Sequence, residues 1–309
     1  MIEIEENNVR LNDLNKLLRG NPVDAIFESL KKIWENDGSD FSQYYQRGEA
    51  LTAKFEEQIF EIYQEVYDKI IHNIERDTTV KEILLKERFC LIIMDGMSLR
   101  EASLVLDDLM NFGSVSYKYT YSALPSDTEF FTIRNFNAKS PTQIKSNENY
   151  DFIHLQREDK IEDIITDKDG LVIWSTYPDK IFSEFKSGFE TQDLEKVGKK
   201  TKEILLKLLE HLSDQDEIII ISDHGYFVDT FSWKGLSDFP SGDRYAPNIP
   251  ESLKKYCKFA NDHWILVGRY NTIKRGKYVH VRHGGLSFLE TIIPLIEIRK
   301  NGGKENAIY

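Results

Sequence analysis

Three strand-like runs in this chain lead into a carboxylate: Asp95 after "LIIM", Asp179 after "LVIWSTYP" and Asp223 after "IIIIS". A single aspartate at a strand end ordinarily caps the next helix or starts a turn. Asp223, however, is followed at once by His224 and Gly225. A carboxylate and an imidazole on adjacent residues at a strand exit can turn toward one cation, and zinc takes just such oxygen and nitrogen ligands. Gly225 lets the chain fold away without a side chain. Open α/β sheets bind ligands beyond the carboxyl ends of their strands, so the three aspartates are expected to converge in space although far apart in sequence.

The stretch "YSALPSDTEFFTIRNF" supplies a hydroxyl. Ser126 with Glu129 fits a capping box entered through Pro125, which predicts a helix start. A hydroxyl there lies among free backbone N–H groups that stabilise anions, a setting suited to attack on phosphate. Either Ser126 or Thr128 fills that role. In "KYVHVRHGGLSFLETIIPLIEI", His283 precedes two glycines between a β-like run and an apolar helix, so it belongs to a tight turn that can bring an imidazole to a site. His280 alternates with it along the strand and is expected to point elsewhere. Ser98 forms a capping box with Glu101 and is read as structural, and His72, inside a helical stretch, is given no role.

Positioning these residues requires a sheet. "RFCLIIMDGMS", "DGLVIWSTYPD", "DEIIIISDHG" and "WILVGRY" are short apolar runs rich in β-formers, as strands buried on both faces require. Helical stretches such as "SLREASLVLDDLMN" and "LEKVGKKTKEILLKLLEHL" lie between them, and this alternation predicts an α/β fold with right-handed crossovers. "RYNTIKRGKYVHV" reads as a hairpin. Residues 135–169 and 226–260 are polar and turn-rich, and read as insertions or lids over the sheet edge. Ahead of the sheet, residues 10–87 repeat apolar positions at three- and four-residue spacing, so residues 1–87 are expected to form a helical module and residues 88–309 the α/β domain.

Composition narrows the partners. With 52 acidic against 40 basic residues the net charge is −12, which favours solubility and disfavours extensive binding to duplex DNA. The acidic start "MIEIEENNVR" has neither the basic nor the apolar region of a secretory signal, and no apolar run approaches the roughly 20 residues of a membrane span, so a cytoplasmic protein without membrane contact is expected. Cys90 and Cys257 suggest neither a disulfide nor a cysteine-based zinc site.

Taken in order, "LIIMDG", "LPSDTEF", "IISDHGY" and "RHGGLSFLETIIPL" resemble the PglZ domains, a branch of the alkaline phosphatase superfamily that also holds nucleotide pyrophosphatase/phosphodiesterases. The resemblance spans residues 87 to 299 and implies a largely parallel central sheet flanked by helices, with the N-terminal helical module outside it. It further implies phosphoryl transfer with one or two zinc ions, or manganese in their place. Asp95, Asp223 and His224 would bind one metal and carry Thr128 as nucleophile on it, while His283 and Asp179 would hold the second. Nucleotides or short single-stranded oligonucleotides are the implied substrates, in phage defence or signalling, with the N-terminal helices free to meet a protein partner. At one point the sequence departs from the superfamily: the histidine usual four residues after the middle-strand aspartate is Ser183 here, leaving Glu184 or water to complete the second set. The alternative that this departure favours is an interaction protein with a weak or purely structural metal site.

Overall fold

The computed structural model describes residues 4–5, 8–9, 20–185, 193–274, 276 and 280–300. Six runs form its central sheet: β1 (Phe89–Met94), β2 (Ser114–Tyr121), β3 (Tyr150–Leu155), β4 (Gly170–Ser175), β5 (Glu217–Ser222) and β6 (Ile292–Arg299), in the spatial order β2-β6-β5-β1-β4-β3. β1 pairs in parallel with β4 and β5, and β4 with β3. β6 runs antiparallel between β5 and β2. The largely parallel α/β sheet read from the sequence is therefore the architecture of the chain.

Every residue of β1 and β4 is buried because helices cover both faces. Along β1, Cys90, Ile92 and Met94 pack on one side against Val105 and Leu109 of helix α5 (Leu99–Leu109) and Leu205 and Leu208 of α7 (Leu194–His211). Leu91 and Ile93 point the other way, into a cluster with Phe131 of α6 (Thr128–Phe136) and Val80 and Ile83 of α4 (Thr79–Leu84). This alternation is the pleat of a strand, which sends successive side chains to opposite faces.

The helical pattern before the sheet becomes α1 (Pro22–Ile33), α2 (Phe41–Ile62), α3 (Val66–Arg76) and α4, with Asn21 and Asp40 capping the first two through their side chains. The part of that pattern over residues 10–19 lies outside the described residues. Ile26, Leu30, Phe55, Ile59 and Ile70 share one apolar cluster with Leu99, Phe288 and Leu289. Beneath it, Glu49 of α2 pairs with both Arg100 and Arg269, all three fully buried. Among the described residues no helix is long and apolar enough to cross a membrane.

Several local expectations are overturned. "WILVGRY" does not join the central sheet: His263–Leu266 pairs with Cys257–Ala260 across Asn261 and Asp262, both at positive φ, and so closes a local hairpin. Of "RYNTIKRGKYVHV", Tyr270–Thr272 pairs with Lys234–Leu236 and Val281 with Val228, both in the preceding segment, while residues 275 and 277–279, on which the expected hairpin depends, lie outside the described residues. The apolar helix expected after His283 is a four-residue turn of helix, Phe288–Thr291, followed by β6. Ladders on both flanks and the β-branched Ile292, Ile293, Ile296 and Ile298 favour the strand, and Pro294 falls just outside the part paired to β5. Finally, residues 135–169 are not purely an insertion, because Tyr150–Leu155 is the edge strand β3; an edge needs only one protected flank and so tolerates Asp151 and His154.

Candidate metal centre

The exits of β1, β4 and β5 lie side by side, and main-chain hydrogen bonds tie them together: Asp95 N donates to Ser175 O and Asp179 N to Asp95 O, each at 2.9 Å. Because β6 is antiparallel to these strands, it is its beginning that reaches the same edge. That orientation brings the His283 turn to the aspartates. Two groups of donors result, each with its atoms within 4.8 Å of one another: Asp95, Asp223 and His224, and Asp179, His224 and His283.

Each donor is aimed by its neighbours. Asp223 is fully buried, and its Oδ1 accepts from the backbone N–H of Gly96 and of His224, both at 2.9 Å, which turns Oδ2 into the site. Gly96 sits at φ +75°, a conformation that favours glycine, and this turn points its N–H at Asp223. The Nδ1 of His224 lies 3.0 Å from Gly225 O. A carbonyl only accepts, so Nδ1 carries the proton and Nε2 presents its lone pair to the cluster. Trp174 Nε1 donates to Asp95 Oδ2 at 3.2 Å, and Asp95 Oδ1 lies 3.9 Å from His224 Nε2.

Thr128 meets this cluster at the first residue of α6. Its Oγ1 is 2.7 Å from Asp223 Oδ2 and 3.2 Å from His224 Nε2. Ser126, the other hydroxyl considered, is committed elsewhere: its Oγ donates to Gly285 O at 2.7 Å and accepts from Gly284 N at 3.1 Å. The capping box expected of Ser126 and Glu129 is therefore absent, and Asp127 caps α6 by accepting from Glu129 N. The Ser98–Glu101 box forms as read.

The His283 ring stacks on His224 with centroids 4.3 Å apart and planes 16° from parallel. Its turn is made by Gly284 at φ +91° and held by Glu290, which accepts from Gly285 N and Ser287 N through its carboxylate and from Gly225 N through its main-chain oxygen. One residue thus clamps the chain after both histidines, and its own charge is paired with the fully buried Arg244. Ser183 Oγ donates to Lys180 O, and among the described residues neither donor group includes Glu184, His72 or His280. Asp127 and Trp174, which touch this site, were not singled out in the sequence; an aspartate directly before Thr128 was the available signal for the first, and nothing marked the second.

The electrostatics call for positive charge. Burial works against an imidazolium at His224, but Asp223, Asp179 and Asp127 outweigh it and hold its pKa above the usual histidine value. A tetrahedral ion with ligands at the usual zinc distances separates its donors by about 3.3–3.6 Å. The distances from His224 Nε2 to Thr128 Oγ1, Asp223 Oδ2 and Asp95 Oδ1 are 3.2, 3.6 and 3.9 Å, close to that range, whereas Thr128 Oγ1 and Asp223 Oδ2, 2.7 Å apart, are in hydrogen-bond contact and would have to separate to share one ion.

No family model matches the sequence, and no curated protein matches it. Solved structures similar to the chain include two of murine ectonucleotide pyrophosphatase/phosphodiesterase 5. One, an inactive variant in complex with AMP, is 10% identical with a TM-score of 0.47 over 70% of this chain and 90% of that one. The other is 11% identical with a TM-score of 0.45 over 69% and 90%.

Proposed function

We propose that this chain is a metal-dependent phosphoryl-transfer hydrolase of the PglZ type, a phosphodiesterase or phosphatase whose nucleophile is Thr128. The observation that carries this reading is the position of Thr128 Oγ1, at the N-terminus of α6 and within 2.7 Å of Asp223 Oδ2 and 3.2 Å of His224 Nε2. Asp95, Asp223 and His224 would hold one zinc ion, and Asp179 and His283 a second. Zinc bound there would stabilise the threonine alkoxide and neutralise the phosphoryl oxygens.

The chain's own residues supply the rest. The hydrogen bond to Asp223 Oδ2 orients the hydroxyl and directs its proton toward a carboxylate. The first N–H groups of α6 face the phosphoryl oxygens as charge builds on them. A bond from Oγ1 to phosphorus forms as the bond to the leaving oxygen breaks, with the Oγ1 proton passing to solvent and the leaving oxygen protonated from it; water then attacks the phosphorus, the bond to Oγ1 breaks, the hydroxyl is restored and the phosphate is released. A net charge of −12 repels long polyanions, which favours nucleotides or short single strands as substrates.

The test is elemental analysis followed by hydrolysis of bis-p-nitrophenyl phosphate with added zinc or manganese. Loss of the nucleophile in Thr128→Ala is expected to slow the metal-loaded protein by about 10³-fold or more. Equal activity of variant and parent refutes the nucleophile assignment. A protein that takes up no metal refutes the hydrolase reading and leaves the interaction protein, which Ser183 favours.

A further inference from the structure

Asp127 lies within "LPSDTEF" without a role in the site as read from the sequence, and its two carboxylate oxygens serve different neighbours. Oδ1 accepts from Glu129 N at 3.1 Å and caps α6, while Oδ2 lies 3.4 Å from Nδ1 of His283. Among the described residues neither donor group includes Asp127, while its Oδ2 lies against one ring nitrogen of His283, a member of the second group. A histidine that offers a lone pair through one ring nitrogen carries its proton on the other. The partner of that proton sets both tautomer and ring orientation, and in metal sites it is commonly a carboxylate or a carbonyl. His224 has such a partner in Gly225 O.

We propose that Asp127 is the corresponding positioning residue for His283, accepting a hydrogen bond from Nδ1–H so that Nε2 presents its lone pair toward the cation shared with Asp179. The separation is 3.4 Å, within reach of a hydrogen bond after a small rotation of either side chain. The same side chain then couples the two halves of the centre. Through Oδ1 it starts the helix that presents Thr128, and through Oδ2 it steers the histidine on the far side of the stacked pair. With Ser183 in place of a histidine, the second site leans on His283, so its orientation counts for more. This inference rests on the metal reading of the preceding section.

Asp127→Asn and Asp127→Ser both keep an oxygen able to cap α6, but neither offers an anionic acceptor to His283. Chelator-treated protein is titrated with zinc, and with cobalt for its absorption spectrum, while unfolding of the metal-free variants is followed in parallel. Both variants are expected to unfold within a few degrees of the parent. The weaker of the two metal affinities is expected to fall about 10–100-fold, and the tighter one by less, through the charge lost near His224. In a His283→Ala background Asp127→Asn should have no further effect on the weaker affinity. Two unchanged affinities in Asp127→Asn and Asp127→Ser, or a full effect that persists without His283, overturn the assignment while leaving the metal reading intact. A parent protein that binds no zinc overturns both.

Discussion

Asp223 lends itself to a test that separates stability from chemistry. Its Oδ1 accepts two backbone N–H groups, from Gly96 and His224, and its Oδ2 faces Thr128 and His224 Nε2. In Asp223→Asn the amide oxygen can keep both backbone donors satisfied. Hydrogen bonds to a charged acceptor contribute about 1.5–3 kcal/mol and neutral ones about 0.5–1.5, so the loss is roughly 2–3 kcal/mol, reduced by relief of repulsion from Asp95 and Asp179. In Asp223→Ala both N–H groups stay buried without an acceptor, at about 1–3 kcal/mol each beyond the lost bonds. Metal-free Ala protein should therefore be less stable than Asn protein by about 2–6 kcal/mol in urea titrations, while both variants lose zinc affinity to a similar, large degree. Equal stability of the two variants would show that Oδ1 does not hold these loops. Zinc affinity at the parent's level in either would refute the ligand assignment.

Two further predictions concern the buried charges between the N-terminal helices and the sheet. Removing Glu49 leaves Arg100 and Arg269 buried with one counter-charge fewer, so Glu49→Ala should cost about 3–5 kcal/mol in chemical denaturation; a loss below 1 kcal/mol would refute the burial argument. Burial pushes the Glu56 carboxyl up to about 7 against the pull of Arg269 and the Phe288 N–H. A carboxyl raised in the folded state adds stability that is full below the unfolded pKa of 4.5 and is lost as pH climbs through about 7. The parent should then lose about 3 kcal/mol relative to Glu56→Gln between pH 4 and pH 8, measured by urea midpoints, and parallel pH profiles would refute the shift.

These buried pairs bear on how the helices serve the site. Glu56 of α2 accepts from Phe288 N at 2.7 Å, and Phe288 begins the short helix in which Glu290 clamps the His283 turn. Tyr67 of α3 reaches the same Glu56 and stacks on the Phe288 ring. The helical segment thus supports the second half of the candidate metal centre from behind, through a carboxylate and an aromatic face rather than through any donor of its own.

The sequence by itself determined the central strands and the residues at their exits. Phe89–Met94, Gly170–Ser175 and Glu217–Ser222 are buried on both faces, and that burial writes a continuous apolar run that is legible without a structure. Asp95, Asp179, Asp223 and His224 stand out by their types and their places after such runs, and His283 by the two glycines that follow it; the structure gathers all five into two donor groups. Only the tertiary structure separates the surroundings of Ser126 and Thr128: the hydroxyl of Ser126 is claimed by Gly284 and Gly285, far along the chain, while that of Thr128 faces Asp223 and His224. It also decided that the run after His283 is a strand. An apolar stretch of that length suits helix or strand alike, and the ladders supplied by β2 and β5 settle it. The antiparallel course of β6 then places His283 beside His224, a proximity between distant segments that no local pattern encodes.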